Sequence, residues 1–312
     1  MGRPKAPRIL VVGELNVDII AVGLHSPPKL GTEVLASDCA VRLGSASAIF
    51  AVGLAKLGCP VTFVSHVGHD SFGEFCLRSL RSNGVSTENV QRKRNENTGV
   101  TISLSNERDR ALVTYPGAIA TFTANDFDAA LLKRHQHLHL TSYYLQEALK
   151  PAFPAILSKA KANGLTTSFD PNSDPSATWS KSINKVLRNT DVLFVNQREA
   201  SGLTHSTKTN DALKTLGQLV PCAVIKLGSK GAVAIQNGTL VKHGGFDINA
   251  VDTTGAGDSF DAGFIWAYLR GDSLHERLRV ANACGALSAL QVGGTSGQPT
   301  EAQLKAFLES HQ

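Results

Sequence analysis

An α/β fold with a central, mostly parallel sheet flanked by helices and a small β-sheet lid is what this sequence predicts. Three features predict it. From about residue 137, short apolar runs alternate with helical patterns, as in βαβ units whose strands are buried on both faces. The C-terminal third is helical by periodicity. The early strands are flanked by polar turns, as expected of a smaller sheet projecting from the main body.

Along the chain, Arg8-Ile9-Leu10-Val11-Val12-Gly13 reads as an apolar run suited to a buried strand, and residues 17–22 read as a second strand. Between them Glu14 and Asn16 interrupt the buried pattern. After a Pro- and Gly-rich loop at 26–31, Gly44-Ser45-Ala46-Ser47 opens a helix that runs to about Leu57 and is closed by Gly58. Residues 61–67 follow as strand and 71–82 as helix. Residues 91–95 read as a solvated loop. Residues 98–114 read as two strands around the charged turn Asn106-Glu107-Arg108-Asp109-Arg110. Further strands are predicted at 137–140, 166–169, 192–194, 223–226, 233–235 and 240–241. Helices are predicted at 151–162, 197–203, 212–219, 257–269, 273–290 and 300–309. The 312 residues are long enough to bury a large core, and we read residues 1–312 as one domain with lid segments at about 14–44 and 96–116.

Composition narrows the function classes. Hydrophobic content of 42% and charged content of 18% describe an ordinary globular chain. The net charge of +5 suits an anionic ligand such as a nucleotide. Scattered Lys and Arg and 6% aromatics argue against nucleic acid. Five widely spaced cysteines without a CxxC pair indicate neither a zinc site nor a disulfide framework and fit a cytoplasmic protein. No apolar run approaches the ~20 residues of a membrane span. His135, His137 and His139 alternate, a pattern more often coincidental than metal-binding.

The sharpest signal is Asp252-Thr253-Thr254-Gly255-Ala256-Gly257-Asp258, followed by an apolar helix. Gly255, Ala256 and Gly257 let backbone N–H groups converge at a helix N-terminus, an anion hole suited to a phosphoryl group in flight. Asp258 sits in the first turn, where the dipole and N–H donors favour its ionised form. It would orient a hydroxyl and take its proton as the new O–P bond forms. A plain cap after a glycine turn is the competing reading. The Walker pattern is absent.

With this motif the chain resembles the ribokinase-like (PfkB-type) carbohydrate kinases over nearly its whole length. Other segments match in order: Gly13-Glu14-Leu15-Asn16-Val17-Asp18, Tyr115-Pro116-Gly117-Ala118, Asn196-Gln197-Arg198-Glu199 and Lys226-Leu227-Gly228-Ser229-Lys230-Gly231. The resemblance implies a ribokinase-like fold and ATP-dependent phosphorylation of a small sugar, with Mg²⁺ bridging phosphates. It implies that Asn16, Asp18, Gly44 and Asp170 meet the sugar. Asn196 and Glu199 would position Mg²⁺ and phosphate through water. Lys226, Gly228, Ser229, Gly231 and Asn282 would meet the nucleotide. Asp252 and the Thr254 carbonyl, with residues 289–294, would hold a monovalent cation such as K⁺. It also implies a homodimer through an exposed lid face.

Read as residues alone, some of these stay open. Asn16 and Asp18 share a strand face and can reach one ligand, or they form an Asn/Asp turn. Asn196 and Glu199 follow a buried strand, where ligands bind, but also have capping-box spacing. Asp170 is a substrate contact or a strand-end turn residue. Two positions depart from the family pattern. Ser45 replaces a glycine, and Ile49 stands where an Asn would hold a hydroxyl, so the acceptor is expected to be bound differently from ribose. Asp174 stands near the usual Arg and is expected to repel a sugar acid. The sequence is read as that of a neutral-sugar kinase. The alternatives are a nucleoside kinase of the same fold, which Ile49 would suit, and a non-catalytic nucleotide- or sugar-binding member.

Overall fold

The computed structural model describes residues 6–105 and 110–311. The predicted turn at 106–109 lies outside the described residues. The main sheet contains β1 (Ile9–Val12), β4 (Val61–Gly68), β5 (Ser86–Lys93), β8 (His137–Thr141), β9 (Thr166–Asp170), β10 (Val192–Asn196), β11 (Cys222–Lys226), β12 (Ala232–Gln236) and β13 (Thr239–His243). Their order is β13-β12-β11-β10-β9-β8-β1-β4-β5. Pairing is parallel except at β11-β12 and β12-β13, where two hairpins finish one edge. A separate four-stranded sheet has the order β3-β2-β6-β7, built from β2 (Asn16–Val22), β3 (Asp38–Leu43), β6 (Gly99–Ser105) and β7 (Arg110–Tyr115). This is the predicted lid.

The helices are α1 (Ala46–Lys56), α2 (Ser71–Ser82), α3 (Phe153–Ala162), α4 (Asn184–Leu187), α5 (Gln197–Thr204), α6 (Thr209–Gly217), α7 (Ala256–Leu269), α8 (Leu274–Ser288) and α9 (Glu301–Ser310). Each central strand feeds two cores because successive side chains leave opposite faces. Ile9 and Val11 of β1 and Val192 and Phe194 of β10 pack with α1, α7 and α8 through Phe50, Leu54, Phe264 and Ala281. Leu10, Val12, Leu193 and Val195 pack on the other face with α3 and α6 through Phe153, Leu157, Leu213 and Leu216. Burial on both faces explains why these strands read as unbroken apolar runs.

Two strands were missed. β3 is an exposed lid edge, and β5, which takes in the supposed loop residues Gln91, Arg92 and Lys93, is the far edge of the main sheet. Among the described residues no helix is long and apolar enough to cross a membrane.

Candidate active site

The predicted catalytic and nucleotide residues gather at the carboxyl ends of β9, β10 and β11, where an open parallel sheet presents its ligands. A cavity of about 720 Å³ lies there, within the range of small-molecule sites. Among its lining residues are Asn196, Glu199, Gly228, Ser229, Gly231 and Asn282, and also Gly255, Ala256, Gly257 and Asp258. The predicted nucleotide set and the predicted catalytic set therefore face one space.

Gly255 is the N-cap of α7, with φ 71°, a left-handed conformation that glycine adopts without strain. It also packs closely on Gly294: a Cβ added to Gly255 would lie 2.7 Å from the Gly294 Cα. The turn differs from expectation in one amide, because Ala256 N–H donates to the Thr253 carbonyl at 3.2 Å. Asp258 follows in the first turn, half-buried on the cavity floor. Its acidity corrects a second expectation. Burial, with Asp170, Glu14 and Glu199 nearby, pushes it up to about 7 against the opposing ammonium of Lys226. The helix N-terminus does not keep it at an ordinary carboxylate value.

Asp252 joins the two segments named for a cation. Its Oδ1 accepts from Thr254 N–H and its Oδ2 from Gly293 N–H, each at 2.9 Å, while Val251 and Asp252 N–H groups donate to the Ala289 carbonyl. Asn196 and Glu199 form a complete capping box on α5. Asn196 Oδ1 accepts from Glu199 N–H at 2.9 Å, and Glu199 Oε2 accepts from Asn196 N–H at 2.8 Å. Glu199 Oε1 accepts from Asn196 Nδ2 at 2.7 Å, so both oxygens take part in the cap. Burial and the Asp170 charge push Glu199 up to about 7.

Lys226 lines the cavity, but its ammonium is turned to carboxylates: 2.7 Å from Asp170 Oδ2 and 3.0 Å from Asp261 Oδ2. Lys226 and Asp170, both on the cavity lining, form a buried ion pair that the sequence did not foretell. Asn282 Nδ2 is likewise committed, reaching His243 Nδ1 and the Gly244 carbonyl at 3.1 Å each, and so fastens that cavity wall.

Asn16, Asp18 and Gly44, predicted to meet the sugar, form a second cluster at the root of the lid. Asn16 Nδ2 donates to Asp18 Oδ1 at 3.1 Å and to Thr101 Oγ1 at 3.2 Å, and Gly44 is pressed against both side chains. Thr101 escaped the sequence reading because its neighbour lies across the β2-β6 pairing. Helix α1 connects this cluster to the anion turn. Glu14, only 2% exposed, accepts from Ser47 N–H at 3.1 Å and from Ser47 Oγ at 2.6 Å. Ile49 is 3% exposed and packs on Gly255 and Gly294, so it supports the turn instead of lining the cavity. Asp174 is also internal to its loop, accepting from Ser176 and Trp179 N–H groups at 2.9 and 2.8 Å. The expected repulsion of a sugar acid loses its basis. His137 and His139 share the Ser168 hydroxyl within the sheet, each at 2.7 Å.

A family profile described as "pfkB family carbohydrate kinase" matches residues 6–301. An ATP-dependent ribose-1-phosphate kinase of Halopiger xanaduensis is 33% identical over 305 residues, covering 96% of this chain and 98% of that one. The structure of a putative ribokinase II from E. coli in complex with ATP and Mg²⁺ superposes with TM-score 0.86 at 25% identity, covering 98% and 100% of the two chains. Arabidopsis thaliana ribokinase complexed with ribose and ATP superposes with TM-score 0.84 at 26% identity, covering 97% and 99%.

Proposed function

Because the chain belongs to the pfkB family of carbohydrate kinases, we propose that it transfers the terminal phosphate of ATP to a hydroxyl of a small neutral sugar. The observation that carries this reading is the single cavity that joins the first turn of α7, with Asp258, to Asn196, Glu199 and Asn282.

Asp258 aligns the acceptor hydroxyl and takes its proton as the O–P bond forms, while the N–H groups of the α7 first turn receive the charge of the moving phosphoryl group. Gly228, Ser229 and Gly231, on the turn after β11, border the nucleotide, with Asn282 beside the base. Mg²⁺ would offset the phosphate charge, held through water near Asn196 and Glu199. A monovalent cation such as K⁺ would sit by Asp252 and the Thr254 carbonyl. Asn16, Asp18 and Gly44 hold the sugar at the lid root, and lid closure excludes water that would otherwise hydrolyse ATP. The outer lid face pairs two copies into a homodimer in the cytoplasm.

The nucleoside reading rested on Ile49, and a residue buried under the anion turn gives it little footing. The test is ADP release with ATP and Mg²⁺ against ribose, fructose, ribose 1-phosphate and adenosine. The proposal expects turnover on a neutral sugar well above the acceptor-free rate. Turnover on adenosine alone would favour the nucleoside kinase. ATP binding without turnover on any acceptor would favour a sensor.

A further inference from the structure

Under the anion turn Asp258 belongs to a charged cluster whose other members, Asp170, Asp261 and Lys226, have no part in the transfer step described above. Asp170 on β9 and Asp258 and Asp261 on α7 offer carboxylate oxygens that all lie within 4.8 Å of one another. Asp261 follows Asp258 by three positions, which puts both carboxyls on one side of the helix. Lys226, at the end of β11, sends its Nζ to 2.7 Å from Asp170 Oδ2 and to 3.1 and 3.0 Å from the two oxygens of Asp261. A Cβ on Gly257 would lie 3.3 Å from the same Nζ, so the ammonium rests directly against the first turn of α7.

Such a cluster is a poor device for stability alone. Desolvating these charges offsets most of their attraction, and well-packed apolar residues commonly serve as well. Beside a reactive carboxylate it has a different use. Three acids this close around one ammonium do not all ionise together. Burial raises Asp170, but the Lys226 ammonium overrides it and keeps that carboxyl ionised. Burial drives Asp261 well above the usual range, against the Lys226 ammonium that both its oxygens face. Asp258, raised to about 7, is the member whose protonation balances near neutrality. Facing it are Asp170 from β9, Glu199 from α5, Glu14 from the segment after β1 and Asp261 on its own helix, with Lys226 as the opposing charge.

We propose that Lys226 is a positioning residue for phosphoryl transfer: its ammonium, clamped by Asp170 and Asp261, is the fixed counter-charge that keeps Asp258 an ionised base beneath the anion turn. The consequence for catalysis rests on the kinase reading, but the charge assignment can be measured without turnover.

The experiment follows the Asp258 carboxyl directly by ¹³C NMR of protein labelled at aspartate Cγ, with the signal lost in Asp258→Asn giving the assignment. In Lys226→Met the titration midpoint should rise by about one pH unit or more, which from a start near 7 lowers the ionised fraction at neutral pH about fivefold or more. Because Lys226→Met strands the Asp170 charge, Lys226→Met with Asp170→Asn is the companion that folds without a buried unpaired ion. Its midpoint should rise as well, since the ammonium acts on Asp258 more strongly than Asp170 does. Lys226→Arg should return the midpoint toward wild type. ATP affinity, measured by calorimetry on the same variants, should stay within about threefold of wild type. An Asp258 midpoint unmoved in both Met variants overturns the proposal. If ATP affinity collapses in that case, Lys226 is a nucleotide ligand instead. Midpoints that move as expected in a protein that phosphorylates no acceptor would support the charge assignment and count against the kinase reading.

Discussion

At the scale of single residues, Asp258 shows what local sequence conveys and what it leaves out. The motif around it was legible because seven consecutive residues build both the turn and the helix start. Its acidity was not, because the groups that set it arrive from Glu14, Asp170, Glu199 and Lys226, each on a different element. The helix N-terminus favours ionisation, but burial prevails and pushes the carboxyl up to about 7. A base whose protonation balances near neutrality is well matched to taking an alcohol proton during transfer. Asp258→Asn should therefore lower kcat by roughly 10²–10⁴ while calorimetry finds ATP affinity nearly unchanged. Equal loss of ATP binding would make the residue structural. The ionised form is the active one, so kcat/KM should rise with pH through about 7 and level off above it. A profile already level well below that point would assign the base to another group. The pairing of Lys226 with Asp170 was illegible for a related reason, since it spans 56 residues of chain and no local pattern records it.

At the scale of elements, legibility followed burial. Strands covered on both faces were found within a residue or two, whereas two of the four edge strands, β3 and β5, were not. β5 carries Glu88, Arg92 and Lys93, the charges that protect an edge from pairing with another chain and that also make it read as loop. Helix α1 was found, but its unusual start needed the structure. Ser45 has φ 75°, where glycine is favoured. The serine compensates: its Oγ accepts from Ala48 N–H at 3.0 Å and donates to the Glu14 carbonyl at 2.6 Å, capping α1 and tying it to the substrate segment. Ser45→Ala should lose the cap and keep the backbone strain, costing about 1–2 kcal/mol. Ser45→Gly loses the same bonds but relieves the strain, and should be milder by roughly 1 kcal/mol. Urea midpoints of the two variants check this ordering, and the reverse ordering would mean that the backbone at residue 45 is not strained.

At the scale of the whole molecule, the sequence conveyed that a second sheet exists but not which way its faces point. Strand register decides that. Ile19 lies opposite Val41 on one side and Ile102 on the other, and Ile102 lies opposite Val113, so one apolar row crosses all four strands. Val41, Ile102 and Val113 are 40%, 38% and 58% exposed, and Tyr115 in the next row is 53% exposed. The neighbouring positions Asn16, Asp18 and Thr101 lie on the opposite face, among the proposed sugar-binding groups. A contiguous apolar sheet face is a costly surface to leave in water, and a twofold pairing with its own copy would cover it on both partners at once. Such pairing would also brace the lid against which the acceptor is held. Light scattering behind gel filtration at micromolar concentration should then give twice 33.1 kDa for the wild type. Val113→Asp should give the single-chain mass, because a carboxylate in a desolvated apolar interface has no partner. If the lid needs its twin to close well, that variant should also raise KM for the acceptor while KM for ATP stays near wild type. A wild-type protein that elutes as one chain would leave the apolar row without this partner.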